Sequence, residues 1–157
     1  MTNKRRLGRI RLRDDPAREP PISKLGFDPL LDLPSPRKFR ELVRPRTVSL
    51  KGLLLDQGFA AGVGNWIADE VLYQAKLDPR RPASSLDDRE VGRLRSRLRS
   101  VINRAVEVDA EKERFPRTWL FQHRWGKNAD ARTHRGERIE HIEVAGRTTA
   151  WVPAVQR

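Results

Sequence analysis

The sequence contains no cysteine. A disulfide framework, a cysteine-ligated zinc and a thiol nucleophile are therefore excluded. It also holds no apolar run near the ~20 residues that a bilayer-spanning helix needs, and no apolar segment of the signal-peptide kind at its start, so no membrane partner is expected and the chain should stay inside the cell. Histidine is sparse, and His123, His134 and His141 stand too far apart for metal-ligand spacing. Acidic residues are also short: 33 Lys plus Arg face 21 Asp plus Glu, a formal net charge of +12. A chain this basic most often partners a polyanion, with nucleic acid the default. A merely solvated basic surface and a structural role in RNA remain open on composition alone. At 157 residues and 37% hydrophobic content, one domain or two small ones can form around a modest core.

The central feature is the stretch from Lys51 to Pro82. An apolar helix is expected over 50–56, followed by a turn punctuated by Gly58, Gly62 and Gly64, then a second helix with Asn65 placed to cap it. Two helices joined this way can turn a helix N-terminus, with its free N–H groups and positive dipole end, toward a phosphate. That turn is the expected working surface, although Gly62 and Gly64 could simply supply positive φ, and Asn65 could simply cap. Asp69 and Glu70 are adjacent on this second helix and point in different directions, so they are not expected to act as a general acid and base.

Elsewhere the elements follow local signals. Lys4 to Arg13 alternates basic and apolar residues and predicts an edge strand without an evident partner. Asp14 to Pro36 carries prolines 16, 20, 21, 29, 34 and 36 and predicts an irregular connector. Ser35-Pro36 predicts a helix start, and Pro45 its end. Asp87 to Glu107 predicts the clearest helix, with Asp87 and Glu90 at capping-box spacing and an apolar stripe of Val91, Leu94, Leu98, Val101, Ile102, Ala105 and Val106; its arginines are expected to be solvated. Glu137 to Val144, a turn at Ala145-Gly146, and Arg147 to Val155 predict a terminal β-hairpin with Arg147 at the tip.

Taken together, LLLDQGFAAGVGNWIADEVLYQAKLDPRRPASSL, the closing VAGRTTAWVPAVQ and the opening KRRLGRIRL resemble the formamidopyrimidine-DNA glycosylases. The respective counterparts are that family's helix-two-turn-helix domain, its C-terminal finger, and the last strand of its N-terminal β-sandwich. The resemblance implies a mainly α fold with a small β part: a remnant of the sandwich and a linker over 1–35, the helix-two-turn-helix DNA-binding domain over 36–114, and a finger hairpin over 115–157. It implies that Asn65 and Arg147 grip phosphates beside an extruded nucleotide, with Gly62 and Gly64 in the same turn. Lys51 is implied to lie near the DNA backbone, and Glu70 to order the surroundings of the active site. Arg5 and Leu7 fall where the family fills the gap left by the flipped base; Leu for the usual Phe keeps an apolar wedge and removes a stacking ring.

Two departures shape the expectation. Where many relatives carry the second pair of zinc-binding cysteines, this chain has Val152 and Val155, so a zincless finger of the plant and fungal kind, without metal or other cofactor, is expected, packed through Trp151, Val152, Val155 and Ile142. The family's chemistry begins at an N-terminal proline whose amine attacks C1′ of the damaged nucleotide. This sequence begins Met-Thr-Asn and has no Pro-Glu start, so no catalytic residue is assigned. The expectation is a monomeric, nuclear, DNA-binding part of a base-excision-repair glycosylase and AP lyase for oxidised purines, holding damaged duplex DNA without cutting it. The alternative is a non-catalytic basic protein for undamaged DNA or structured RNA.

Overall fold

The computed structural model describes residues 11–157. Arg5, Leu7 and most of the expected edge strand lie outside the described residues. From Arg11 to Ser35 the chain forms turns and one 3-10 turn at Ile22–Lys24, as the prolines require. Four helices follow: α1 (Pro36–Val43), α2 (Leu50–Leu55), α3 (Asn65–Ala75) and α4 (Asp88–Glu107). A single antiparallel hairpin, β1 (Glu140–Val144) and β2 (Arg147–Trp151), ends the chain.

Local chemistry accounts for most of these boundaries. Ser35 accepts a hydrogen bond from the Lys38 amide and Ser49 from the Gly52 amide, capping α1 and α2. At α4 the Asp87 side chain accepts from the Glu90 amide while the Glu90 carboxylate accepts from the Asp87 amide, the reciprocal capping box. The hairpin turn places Ala145 and Gly146 at φ of 52° and 68°, both in the left-handed region that two-residue hairpin loops favour. The hairpin is shorter than expected. Pro153 lacks a ladder donor, and the Val152 amide turns instead to the Gln156 side chain at 2.7 Å.

One continuous core joins the helices. Phe39, Leu50, Leu53, Leu54, Leu72, Leu94 and Leu98 are fully buried in it, each such side chain contributing about 1.5–3 kcal/mol of transfer free energy. Val106, expected on the α4 stripe, is half exposed, because the buried stripe runs through Val101, Ile102 and Ala105. Phe27 packs edge-on against Phe59 at 5.2 Å, tying the connector to the α2–α3 turn. Gly26 makes that approach feasible: a Cβ there would stand 2.3 Å from the Phe59 carbonyl oxygen. Phe115, Trp119 and Phe121 also join this core, so the helical body draws on residues beyond 114.

Part of the finger's attachment is hydrocarbon. Leu120, Ile139, Ala150 and Val152 form a second buried cluster, with Tyr73 and Val155 packed against it. Val152 and Val155 thus pack as expected. Trp151 is buried elsewhere, under the Arg80 guanidinium at 4.3 Å, and Ile142 stays half-buried outside the cluster. The side chains at these positions offer no metal donor, and a zinc ion does not fit them. The α4 arginines are less free than expected: Arg93 donates to the Ala75 carbonyl and Arg95 to the Pro34 carbonyl.

Candidate nucleic-acid interface

The turn between α2 and α3 is built by Gln57. Its amide nitrogen donates to the Leu55 and Val63 carbonyls, both at 3.1 Å, and its oxygen accepts from the Gly62 amide at 2.9 Å. Gly62 has a φ of +80°, so this position favours glycine on conformation alone. Gly64 has a φ of −101°, which any residue adopts, and a Cβ there would meet nothing within 4 Å. Open space, not backbone strain, is what the second glycine supplies.

Asn65 differs from its expected place. Gly64 is the N-cap of α3, Asn65 is the first helical residue, and no side chain caps this end. The first helical bond runs from the Ala68 amide to the Gly64 carbonyl, so the amides of residues 65–67 have no carbonyl one turn back. The Asn65 side chain crosses instead to the finger, where Nδ2 donates to the Thr148 carbonyl at 2.9 Å. Among the described residues its buried Oδ1 has no partner.

Lys51, implied to lie near the DNA backbone, stands inside the protein behind the turn. It is completely buried, forms an ion pair with Asp69, and donates to the Asn65 carbonyl at 2.9 Å. Burial lowers its pKa, opposed by the adjacent Asp69 carboxylate. An ammonium enclosed in this way supports the Asn65 turn from behind.

Asp69 is the residue that local reasoning underrated. Its carboxylate takes Lys51 on one oxygen, and the Arg124 guanidinium and the Ala150 amide, the latter at 3.1 Å, on the other. The two α3 side chains that hydrogen-bond to β2, Asn65 and Asp69, are four apart, a rise of about 6 Å. Their targets on β2, Thr148 and Ala150, are two apart, a rise of about 6.6 Å. The helix and the strand edge therefore match in spacing, and two hydrogen bonds dock the finger on α3.

Glu70 faces the other way, as expected of adjacent helical residues. It is buried, accepts from the Phe121 amide at 2.8 Å and from the Gln74 side chain at 2.8 Å, and so anchors the 3-10 turn Leu120–Gln122. Burial pushes its pKa up to about 7 against those hydrogen bonds. The anchored segment carries an aromatic ladder: Trp66 meets Phe121 at 4.8 Å and Phe121 meets Trp125 at 5.2 Å.

These elements border one open groove of about 860 Å³. Gly64, Asn65 and Trp66 line one side, Arg147 and Thr148 the finger side, and Arg124 and Trp125 a third. Arg147 opens β2 opposite Val144 and is exposed, at the expected tip. The sequence brought Asn65, Gly64 and Arg147 to this place; Lys51 stands behind it, and Gln57, Asp69 and Arg124 were missed. His123 and His141 face the carbonyls of Arg117 and Arg124, and among the described residues no three His, Asp or Glu side chains converge as a metal site would need.

Comparison with known proteins gives the same architecture. The formamidopyrimidine-DNA glycosylase H2TH domain matches residues 25–116. The chain is 44% identical over its whole length to the formamidopyrimidine-DNA glycosylase of Arabidopsis thaliana, covering 40% of that protein. It is 37% identical to that of Thermomicrobium roseum over 97% of this chain and 56% of the relative. The chain thus spans roughly half the length of such relatives. Lactococcus lactis formamidopyrimidine-DNA glycosylase, solved non-covalently bound to DNA containing an AP site, superposes with a TM-score of 0.72 at 29% identity, over 85% of this chain and 50% of that one. The same enzyme bound to DNA containing FAPY-dG superposes equally, also at 0.72. With the uncapped α3 terminus, the docked finger and more than half of the sequence matching one domain type, this chain belongs to the formamidopyrimidine-DNA glycosylase family.

Proposed function

We propose that this chain grips damaged duplex DNA, as the DNA-binding part of a base-excision-repair glycosylase and AP lyase that acts on oxidised purines. The observation that carries the reading is the convergence of two phosphate-binding devices on one groove. The free amides at the start of α3 offer neutral donors at the positive end of a helix dipole. Arg147, across the groove on the finger, offers a charged fork suited to a phosphate. Opposed grips of this kind position a backbone and carry no base sequence information, which suits a protein that must act wherever damage lies. Arg5 and Leu7 would act at the gap left by the extruded nucleotide, and Glu70 would order the loop beside it. We assign these residues binding and positioning, and no bond-breaking step. The protein acts as a monomer, in the nucleus on the plant-type character of its finger.

The test is a ¹⁵N NMR titration with a short duplex carrying a central abasic-site analogue. Resonances of residues 62–66 and the Arg147 side chain are expected to shift first, while Arg93 and Arg97, which line a separate basic cavity at the far end of α3, stay in place. Shifts spread evenly over all the arginines would favour the alternative, a general basic surface for undamaged DNA or structured RNA.

A further inference from the structure

The proposed grips lie on different elements, joined at the surface by the bond from the Asn65 side chain to the Thr148 carbonyl. Arg147 belongs to a two-stranded ribbon, which is marginal in isolation. Asn65 sits at an N-terminus with no side-chain cap. Between them stands a fully buried carboxylate whose three partners come from three different parts of the chain: Lys51 on α2, Arg124 in the loop before the hairpin, and the Ala150 amide on β2. Lys51 in turn holds the Asn65 carbonyl at 2.9 Å. One carboxylate thereby reaches both grips, the first through Lys51 and the second through Ala150, three residues along β2 from Arg147.

We propose that Asp69 is the positioning residue of the DNA grip, a buried strut that fixes the Asn65 turn and the Arg147 finger at one separation so that both meet a bent backbone as a preformed unit. The inference rests on the DNA-gripping reading above, and it adds a claim about the free protein that can be tested without DNA. Preformed geometry matters because a loose finger must be ordered at the moment of binding, which reduces affinity. A carboxylate suits the place better than an amide: it accepts from all three donors at once, whereas asparagine turns one acceptor into a donor facing a cation. Charge also identifies the gentler perturbation. Two cations share one carboxylate, so removing Lys51 leaves a one-to-one Asp69–Arg124 pair, whereas removing the Asp69 charge leaves two buried cations unpaired.

The absence of native cysteine lets spin labels be placed at chosen sites. Cysteines introduced at Arg99 on α4 and Glu143 on β1, both exposed and outside the groove lining, report the distance between helical body and finger. The wild-type background is expected to give one narrow distance distribution. Asp69→Asn is expected to broaden it while the far-ultraviolet circular dichroism stays helical, and to weaken binding to an abasic-analogue duplex by about tenfold. A distribution of unchanged width with affinity retained within about twofold would overturn the strut. Should Asp69→Asn fail to fold, Lys51→Met carries the test: it removes the bond to the Asn65 carbonyl and keeps the Asp69 link to β2. The expected result is a narrow distribution with about fivefold weaker binding, and undiminished binding would overturn the proposal. Failure of the underlying reading shows differently: Asn65→Ala and Arg147→Ala would then bind the abasic duplex as well as wild type, while the distance measurement still reports on Asp69.

Discussion

Replacing Arg147 with alanine is expected to weaken binding to an abasic-analogue duplex by roughly 10- to 100-fold, the equivalent of one charge-assisted hydrogen-bonded contact. The magnitude follows from the position of the side chain. Arg147 is exposed at the hairpin tip and makes no ion pair among the described residues, so its removal strands no buried partner and the fold is unaffected. Because the lost group is a cation proposed to sit on a phosphate, the dependence of log affinity on log salt should become shallower by about one. Asn65→Ala provides the contrast. It leaves the backbone amides of the α3 terminus in place and removes the side-chain amide with its bond to the Thr148 carbonyl, so affinity should fall by about 5- to 10-fold with the salt slope unchanged. Fluorescence anisotropy at four or five salt concentrations separates the two signatures. Equal slopes for wild type and Arg147→Ala would remove Arg147 from the phosphate contacts.

The second large effect concerns pH. Glu70 sits in the folded protein with a pKa of about 7, against an ordinary value of 4.5, because burial disfavours its charge more than the Phe121 and Gln74 hydrogen bonds favour it. The folded state therefore binds more protons than the unfolded chain between those two values, and stability must fall as pH rises through that window. The protonated form contributes its full share below about pH 4.5, and that share is lost above about pH 7, a difference on the order of 3 kcal/mol for this one group. Glu70→Gln keeps the shape, still accepts from the Phe121 amide and cannot ionise. Urea denaturation from pH 5 to pH 8 should show a declining wild-type stability and a flatter line for Glu70→Gln, with the two crossing as the wild type ionises. Parallel lines would mean that Glu70 titrates normally and that the loop before the finger is not anchored on a carboxyl with a raised pKa.

Much of the scaffold could be read from neighbouring residues. Ser35 before Pro36, the Asp87–Glu90 box and the Ala145-Gly146 turn are local devices, and each element begins or reverses where they stand. The polar interior of the interface could not be read that way. Asn65 looked like a cap because Asn is a good one, but a bond to the Thr148 carbonyl, 83 residues away, takes its side chain. Asp69 finds Arg124 at 55 residues and the Ala150 amide at 81, separations that no periodicity encodes. Lys51 carried the right position and the wrong exposure: a lysine beside a Gly-rich turn reads as a surface cation until the partner that buries it is known. The segment from Arg114 to Lys127 carries no repeating stripe, because short 3-10 turns, the Trp66 contacts with Phe115 and Phe121, and the Glu70 bond to the Phe121 amide hold it on α3.

Recognition of damaged DNA by a grip on its backbone at two opposed points is tested most directly by a paired equilibrium titration. The same chain is titrated against two duplexes of identical length, one with a central abasic-site analogue and one undamaged, across a range of salt. Tighter binding to the abasic duplex is expected at every salt concentration, with a preference that disappears in Asn65→Ala/Arg147→Ala. Equal affinity for the two duplexes, with a steep salt slope that the double variant hardly changes, would contradict it and leave a basic protein that binds nucleic acid through its charge alone.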